Sequence, residues 1–262
     1  MTPTEQVLVT PDGKTVYVLD SSGAVTPIST ATHRPGQPIE LPRQGFRTSA
    51  EMAITPDGKT LYVCEFGQLG SGPSYVIPIA TATNRPGKPI AVPSYAVAIV
   101  ITPDGRTIYV IGQPMTGRAP RVEVTPIATG SDRPGRAIIV GTGLILWDSP
   151  VATTPDGHTI YIGTRNGVIP FSTVANTPGK PISFGAAVVK GIAIAPDGST
   201  AYVLNQPPGS VQSAAVSNEG DFPPCTSPLG RVTPIATATE AVGTRARAGH
   251  REDASASEVP VS

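Results

Sequence analysis

Two observations make this an all-β, repetitive chain. A nine-residue unit, Thr10-Pro11-Asp12-Gly13-Lys14-Thr15-Val16-Tyr17-Val18, returns at 55–63, 102–110, 154–162 and 195–203. The prolines of these units, Pro11, Pro56, Pro103, Pro155 and Pro196, follow one another at intervals of 45, 47, 52 and 41 residues. Periods of roughly 40–50 residues with several strands in each are the signature of propeller blades. The prediction is a β-propeller of five recognisable four-stranded blades, the last incomplete. Blades fall at about 5–41, 50–93, 96–140, 148–185 and 190–240, the propeller spans 1–243, and a polar tail of mixed charge, predicted to be disordered, occupies 244–262.

Each unit is a hairpin. Pro presets φ for the first corner of a type I turn, Asp tolerates the second, and Gly accepts the left-handed position that follows. Asp12-Gly13, Asp57-Gly58, Asp104-Gly105, Asp156-Gly157 and Asp197-Gly198 are therefore assigned to turn geometry. An innermost strand precedes each turn (7–9, 52–54, 99–101, 151–153, 192–194), often with a small middle residue such as Ala53, Ala152 or Ala193. The second strand carries Tyr17, Tyr62, Tyr109, Tyr161 or Tyr202 between apolar neighbours, as expected of a strand covered on both faces.

The third strand holds a proline in every copy: Pro27, Pro78, Pro126, Pro170 and Pro234. Proline cannot donate to a ladder, so its nitrogen is expected to face a gap in the outer pairing or a bulge. A second turn follows, R-P-G at 34–36, 85–87 and 133–135 and T-P-G at 177–179, then a short outer strand at 38–41, 89–92, 137–140 and 181–184. After Glu240 the fifth copy departs from this pattern, so its outer strand is expected to be missing.

Composition narrows the classes. Charged residues are 15%, and 28 Gly and 30 Pro sit periodically between apolar runs, which is punctuation of a folded chain. Nineteen basic and nineteen acidic residues cancel, and no basic stripe marks a nucleic-acid binder. No apolar run is long enough for a membrane span. The N-terminal residues lack the pattern of a secretory signal, so the chain is cytoplasmic by default unless a leader precedes it. Two cysteines, Cys64 and Cys225, are too few for a disulfide framework and read as unpaired thiols rather than one bridge.

The units resemble the YVTN family of β-propeller repeats, found in bacterial surface-layer and lactonase-like propellers. The likeness spans about 5–240 and is carried by P-D-G-K-T-x-Y-V at 11–18 and 56–63; the closing T-N of the motif is mostly lost, only Asn205 keeping the Asn. The resemblance implies a ring usually of seven blades and proteins often exported or surface-bound. Five repeats then imply a small ring, an open arc or a truncated frame.

Repeats supply an internal control for candidate sites. His158 fills the slot of Lys14, Lys59, Arg106 and Ser199, and His33 that of Asn84, Asp132, Asn176 and Glu240, while His250 lies in the tail; all three read as solvated. No metal-ligand spacing and no cofactor motif stands out. One end of each blade has uniform turns, whereas the other varies, with long connections at 64–74, 111–121 and 204–230. Variable loops on a rigid scaffold are where binding resides. At that end Tyr95 and Trp147 share a slot, and with Phe46, Arg47, Glu65, Asp148 and Arg165 they form a candidate platform for a small molecule or a protein. The structural alternative is that the aromatics plug the seam between blades. Three functions follow: a non-catalytic binding scaffold, a lactonase-like hydrolase with a pore-mouth site drawing on Glu51 or Asp148, or a truncated propeller remnant. Unpaired blade edges predict self-association unless the ring closes.

Overall fold

The computed structural model describes residues 4–20, 22–42, 50–66, 73–114, 121–143, 145, 149–206, 231–242 and 246–247. Among them there is no helix; the chain forms five antiparallel sheets in sequence order. Blade one is Thr4–Val9, Thr15–Asp20 and Val25–Ser29, with Ile39 and Pro35 bridging to the third strand. Blade two runs Ala50–Ile54, Thr60–Glu65, Ser74–Ala80, and blade three Ser94–Ile101, Thr107–Pro114, Arg121–Ala128. Blade four is Val151–Thr153, Thr159–Thr164, Gly167–Ser172, and blade five Val188–Ile194, Thr200–Gln206, Arg231–Ala236.

The outer strand explains the prolines. In blades two to five it is split into two short pieces that both pair with the third strand, for example Arg85–Pro86 and Ile90–Val92 on Ser74–Ala80. Between the pieces the Gly87 N–H donates to the Pro78 carbonyl at 2.7 Å, so the proline nitrogen, directed the same way, meets the gap. Gly36, Gly135 and Gly179 repeat that bond on Pro27, Pro126 and Pro170. One feature differs from the expectation. Blade five has an outer strand after all, Ala241–Val242 and Ala246–Arg247 pairing with Arg231–Ala236, the second piece lying within the segment assigned to the tail. The pairing is made by the backbone, and the Pro-Gly turn that announces the outer strand in the other copies is missing after Glu240, which is why the sequence concealed it.

The turns behave as their residues dictate. Thr10 Oγ1 donates to the Asp12 carboxylate at 2.6 Å, and the Lys14 and Thr15 amides return to Asp12 and Thr10. Gly13 takes φ +69°, and its carbonyl accepts from Thr30 of the second turn, placing both turns at one end of the blade. The same set recurs in blades two to four. Blade five has Ala195 in place of Thr, and there the Ser199 hydroxyl supplies the donor to Asp197 instead.

The core lies between blades rather than around a hub. Tyr17, Leu19, Val25 and Leu41 of blade one pack on Met52, Leu61, Val63 and Ile77 of blade two. Tyr161, Val168 and Ile182 of blade four likewise meet Ala201, Val203 and Ile235 of blade five. The innermost strands pack one on the next from blade one to blade five, and among the described residues the sheets do not close into a ring.

Candidate functional site

Three contacts recur at the seams and account for much of the polar chemistry noted in the sequence. First, the second-strand tyrosine donates across the seam: Tyr17 to Asn84 at 2.8 Å, Tyr62 to Asp132 at 3.0 Å, Tyr109 to Asn176 at 2.9 Å. The acceptors all sit at positive φ, as do His33 and Glu240 in the same slot. Second, each turn glycine after the first rests on the preceding blade's turn proline, so that a Cβ on Gly58, Gly105, Gly157 or Gly198 would lie 2.7–3.5 Å from a proline Cδ. Third, a polar side chain five residues before the turn proline grips the next blade's innermost strand. Gln6 bonds both backbone groups of Met52, and the Glu51 carboxylate accepts from the Ile99 N–H at 2.8 Å. Glu51, a sequence candidate for catalysis, thus repeats the task of Gln6. Burial pushes its pKa up, partly countered by that bond.

The turn carboxylates are committed as well. Hydrogen bonds from Thr10, Thr55, Thr102 and Thr154, then from the amide two residues on, hold Asp12, Asp57, Asp104 and Asp156 below the usual carboxylate range. His158 is an exposed turn residue whose Nδ1 lies 3.2 Å from Asp156. Among the described residues no group of three His, Cys, Asp or Glu side chains converges to hold a metal. Cys64 is a free, buried thiol with its pKa raised by burial and by Glu51 and Glu65; Cys225 and His250 lie outside the described residues.

Of the predicted platform, Phe46, Arg47, Trp147 and Asp148 lie outside the described residues. Glu65 ends the second strand of blade two and is buried; Tyr95 is buried at the start of the innermost strand of blade three, 6.1 Å from the Phe66 ring. Arg165 is exposed on the tight hairpin of blade four.

The structure gathers a different set at the same end, where blades two and three meet. Phe66 and Tyr95 form an aromatic wall. Behind it the Ser74 hydroxyl accepts from the Ala96 N–H at 2.9 Å, fastening blade three to blade two. The register slips at Ile111/Gly112, which brings the Tyr95 backbone over Gly112: a Cβ there would lie 2.5 Å from the Tyr95 carbonyl oxygen and 3.0 Å from Ser94 Oγ. Gly112 pairs on its other side with Glu123, which is 9% exposed. Glu123 Oε2 and Ser94 Oγ are both buried, and neither has a hydrogen-bond partner among the described residues. Burial raises the Glu123 pKa. Both residues flank Gly112, and a buried carboxylate oxygen can accept from, and a buried hydroxyl donate to, a bound polar group. Sequence reasoning passed over this pair, although Glu123 stands where the other copies have Ala24, Tyr75, Gly167 and Arg231. A cleft of 530 Å³ opens at the opposite end of the same seam, lined by Asp57, Lys59, Tyr62 and Asp104, whose carboxylates already serve the turns.

This arrangement defines the class: an all-β propeller-type chain of five blades in an open arc. Comparison with solved structures agrees. The chain is similar to Kuenenia stuttgartiensis hydrazine synthase, at 23% identity and a TM-score of 0.69 over 94% of this chain and 66% of that one. It is also similar to a functionally unknown protein from Desulfotomaculum acetoxidans, at 19% identity and a TM-score of 0.64 over 94% of this chain and 70% of the other. The chain thus spans about two thirds of the length of these structures, and at such identity the likeness is one of fold. No protein-family model matches the chain, and no curated protein matches it in sequence.

Proposed function

We propose that this chain is a non-catalytic binding scaffold that takes a small molecule, or a segment of a partner protein, at the mouth between blades two and three. The observation that carries the reading is the pair Glu123 Oε2 and Ser94 Oγ, buried and unpartnered beside Gly112. The Phe66–Tyr95 wall stands at the same end, where the longest connections leave the blades. The fitting chemistry is a ligand hydroxyl or ammonium that donates to Glu123, with an apolar face toward Tyr95. The repeats are taken as YVTN-type on the P-D-G-K-T-x-Y-V units. The lactonase-like alternative rested on Glu51 and Asp148, and Glu51 has the same backbone-gripping role as Gln6.

The test is a thermal-shift screen of sugars, sugar lactones and primary amines, run alongside a lactone-opening assay. A compound that raises the melting temperature of the wild type but not of Glu123→Gln supports the scaffold. Lactone opening well above buffer, abolished by Glu51→Gln or Glu123→Gln, would replace it with the hydrolase.

A further inference from the structure

The two ends of the arc carry the two halves of one seam. In blade two the face turned toward blade one is covered, Met52, Leu61, Val63 and Ile77 being at most 3% exposed, and the second-strand residues of the same face in blades three to five (Ile108, Val110, Ile160, Ile162, Ala201 and Val203) are fully buried. The same slots of blade one are Val7, Val16, Val18 and Thr26. Val7 is 57% exposed, neighbouring Val9 is 53% exposed, and Val16, Val18 and Thr26 are half-buried. At the other end Tyr202 is 46% exposed, whereas Tyr17, Tyr62, Tyr109 and Tyr161 are at most 2% exposed. Ala193 beside it is exposed, and Leu204 and Val232 are half-buried.

The recurring contacts are split in the same way. Gly13 has nothing within 4 Å of a Cβ position, while the other four turn glycines each rest on a proline. Pro196, the proline that a following glycine would use, is exposed at the far end. His33 holds the left-handed acceptor slot that Asn84, Asp132 and Asn176 fill for a tyrosine one blade back, and no described blade precedes it. Blade five thus presents a tyrosine donor, a proline and an apolar face, and blade one presents an acceptor, a bare glycine and an apolar face.

We propose that the occupant of each end is a second copy of this chain, docked head to tail so that blade five of one copy abuts blade one of the next. Complementarity is the argument. Within the chain this pairing of faces is made four times, and neither end face is matched to itself. A symmetric contact between like ends would oppose tyrosine to tyrosine or bare glycine to bare glycine. A heterologous contact that does not close on itself extends, so size grows with concentration. Tyr202 donates to His33 of the next copy, and Gly13 of that copy seats on Pro196.

The test uses the full chain in sedimentation velocity over about a hundred-fold range of concentration. The wild type is expected to shift from monomer to larger species. Val9→Lys blocks one face and Tyr202→Lys the other; both positions are exposed. Each variant alone is expected to stay monomeric, and an equal mixture to form a dimer and stop there, since only one pair of intact faces remains. A wild type that is monomeric at every concentration overturns the proposal without reference to any variant. So does a mixture that stays monomeric, or a single variant that still forms a dimer or anything larger.

Discussion

Glu240 occupies the slot in which Asn84, Asp132 and Asn176 receive a tyrosine hydroxyl, yet Tyr161 Oη finds no partner there. The longer side chain carries its carboxylate over Gly179, 3.0 Å from that residue's Cβ position. Burial first, and then the charges of Glu240 and Asp156, push the Tyr161 pKa up to about 12. Glu240 also sits at φ +53°, a conformation asparagine tolerates better. Glu240→Asn is therefore expected to stabilise the chain by about 1 kcal/mol, the net value of one hydrogen bond. Tyr161→Phe should then cost about that much in the Glu240→Asn background and little in the wild type, as a double-mutant cycle by denaturant unfolding would read. Glu51 is the second residue whose behaviour is fixed by its slot. Its carboxyl is raised by burial, so it is protonated in both states at low pH, and ionising it within the fold costs stability as pH rises through the folded value. Glu51→Gln keeps the acceptor for Ile99 and removes that cost. Its melting-temperature advantage over the wild type should widen from about pH 4 to about pH 8; a constant difference would mean that the carboxyl is not desolvated.

The hairpin is the element that repeats, and its glycine does two things at once. At Gly157 φ is +73°, and a Cβ would lie 2.7 Å from the Pro103 Cδ of the preceding blade. At Gly13 φ is +69° with open space around it. Gly13→Ala should cost only the left-handed strain, about 1–2 kcal/mol. Gly157→Ala should cost that and a further ~1–3 kcal/mol for the overlap. Equal losses would show that the turns do not bear on one another. Hairpins were legible in the sequence because Pro-Asp-Gly and its flanking apolar runs are local. The gap facing each proline was legible for the same reason, since a missing donor must face something other than a ladder partner. Seam contacts were not: Tyr17 and Asn84 are 67 residues apart, and only the shared slot of His33, Asn84, Asp132, Asn176 and Glu240 hinted at a common role. Ser94 and Glu123 escaped because neither lies in a motif; the register slip brings Ser94 against Gly112, whose ladder partner on the other side is Glu123. The short outer strand of blade five was hidden because no Pro-Gly turn precedes it.

An open arc of blades is close to one-dimensional, because each blade touches only its neighbours. Blades two, three and four are held by two seams, blades one and five by one. Stability should therefore fall toward both ends, and amide exchange is the measurement that sees it. In dilute solution the amides of Ser94–Ile101, flanked by blades on both sides, should exchange last. Those of Thr4–Val9 and Val188–Ile194 should exchange first. Raising the protein concentration distinguishes the ways in which the ends can be covered. A head-to-tail contact buries one face of blade five against one face of blade one, so protection must rise at both ends together and to a similar extent. A symmetric contact between like ends would slow exchange at one end and leave the other untouched. Uniform protection along the chain at every concentration would require the terminal blades to be as well supported as the middle ones. That cannot hold while Val7, Val9 and Tyr202 stand in solvent.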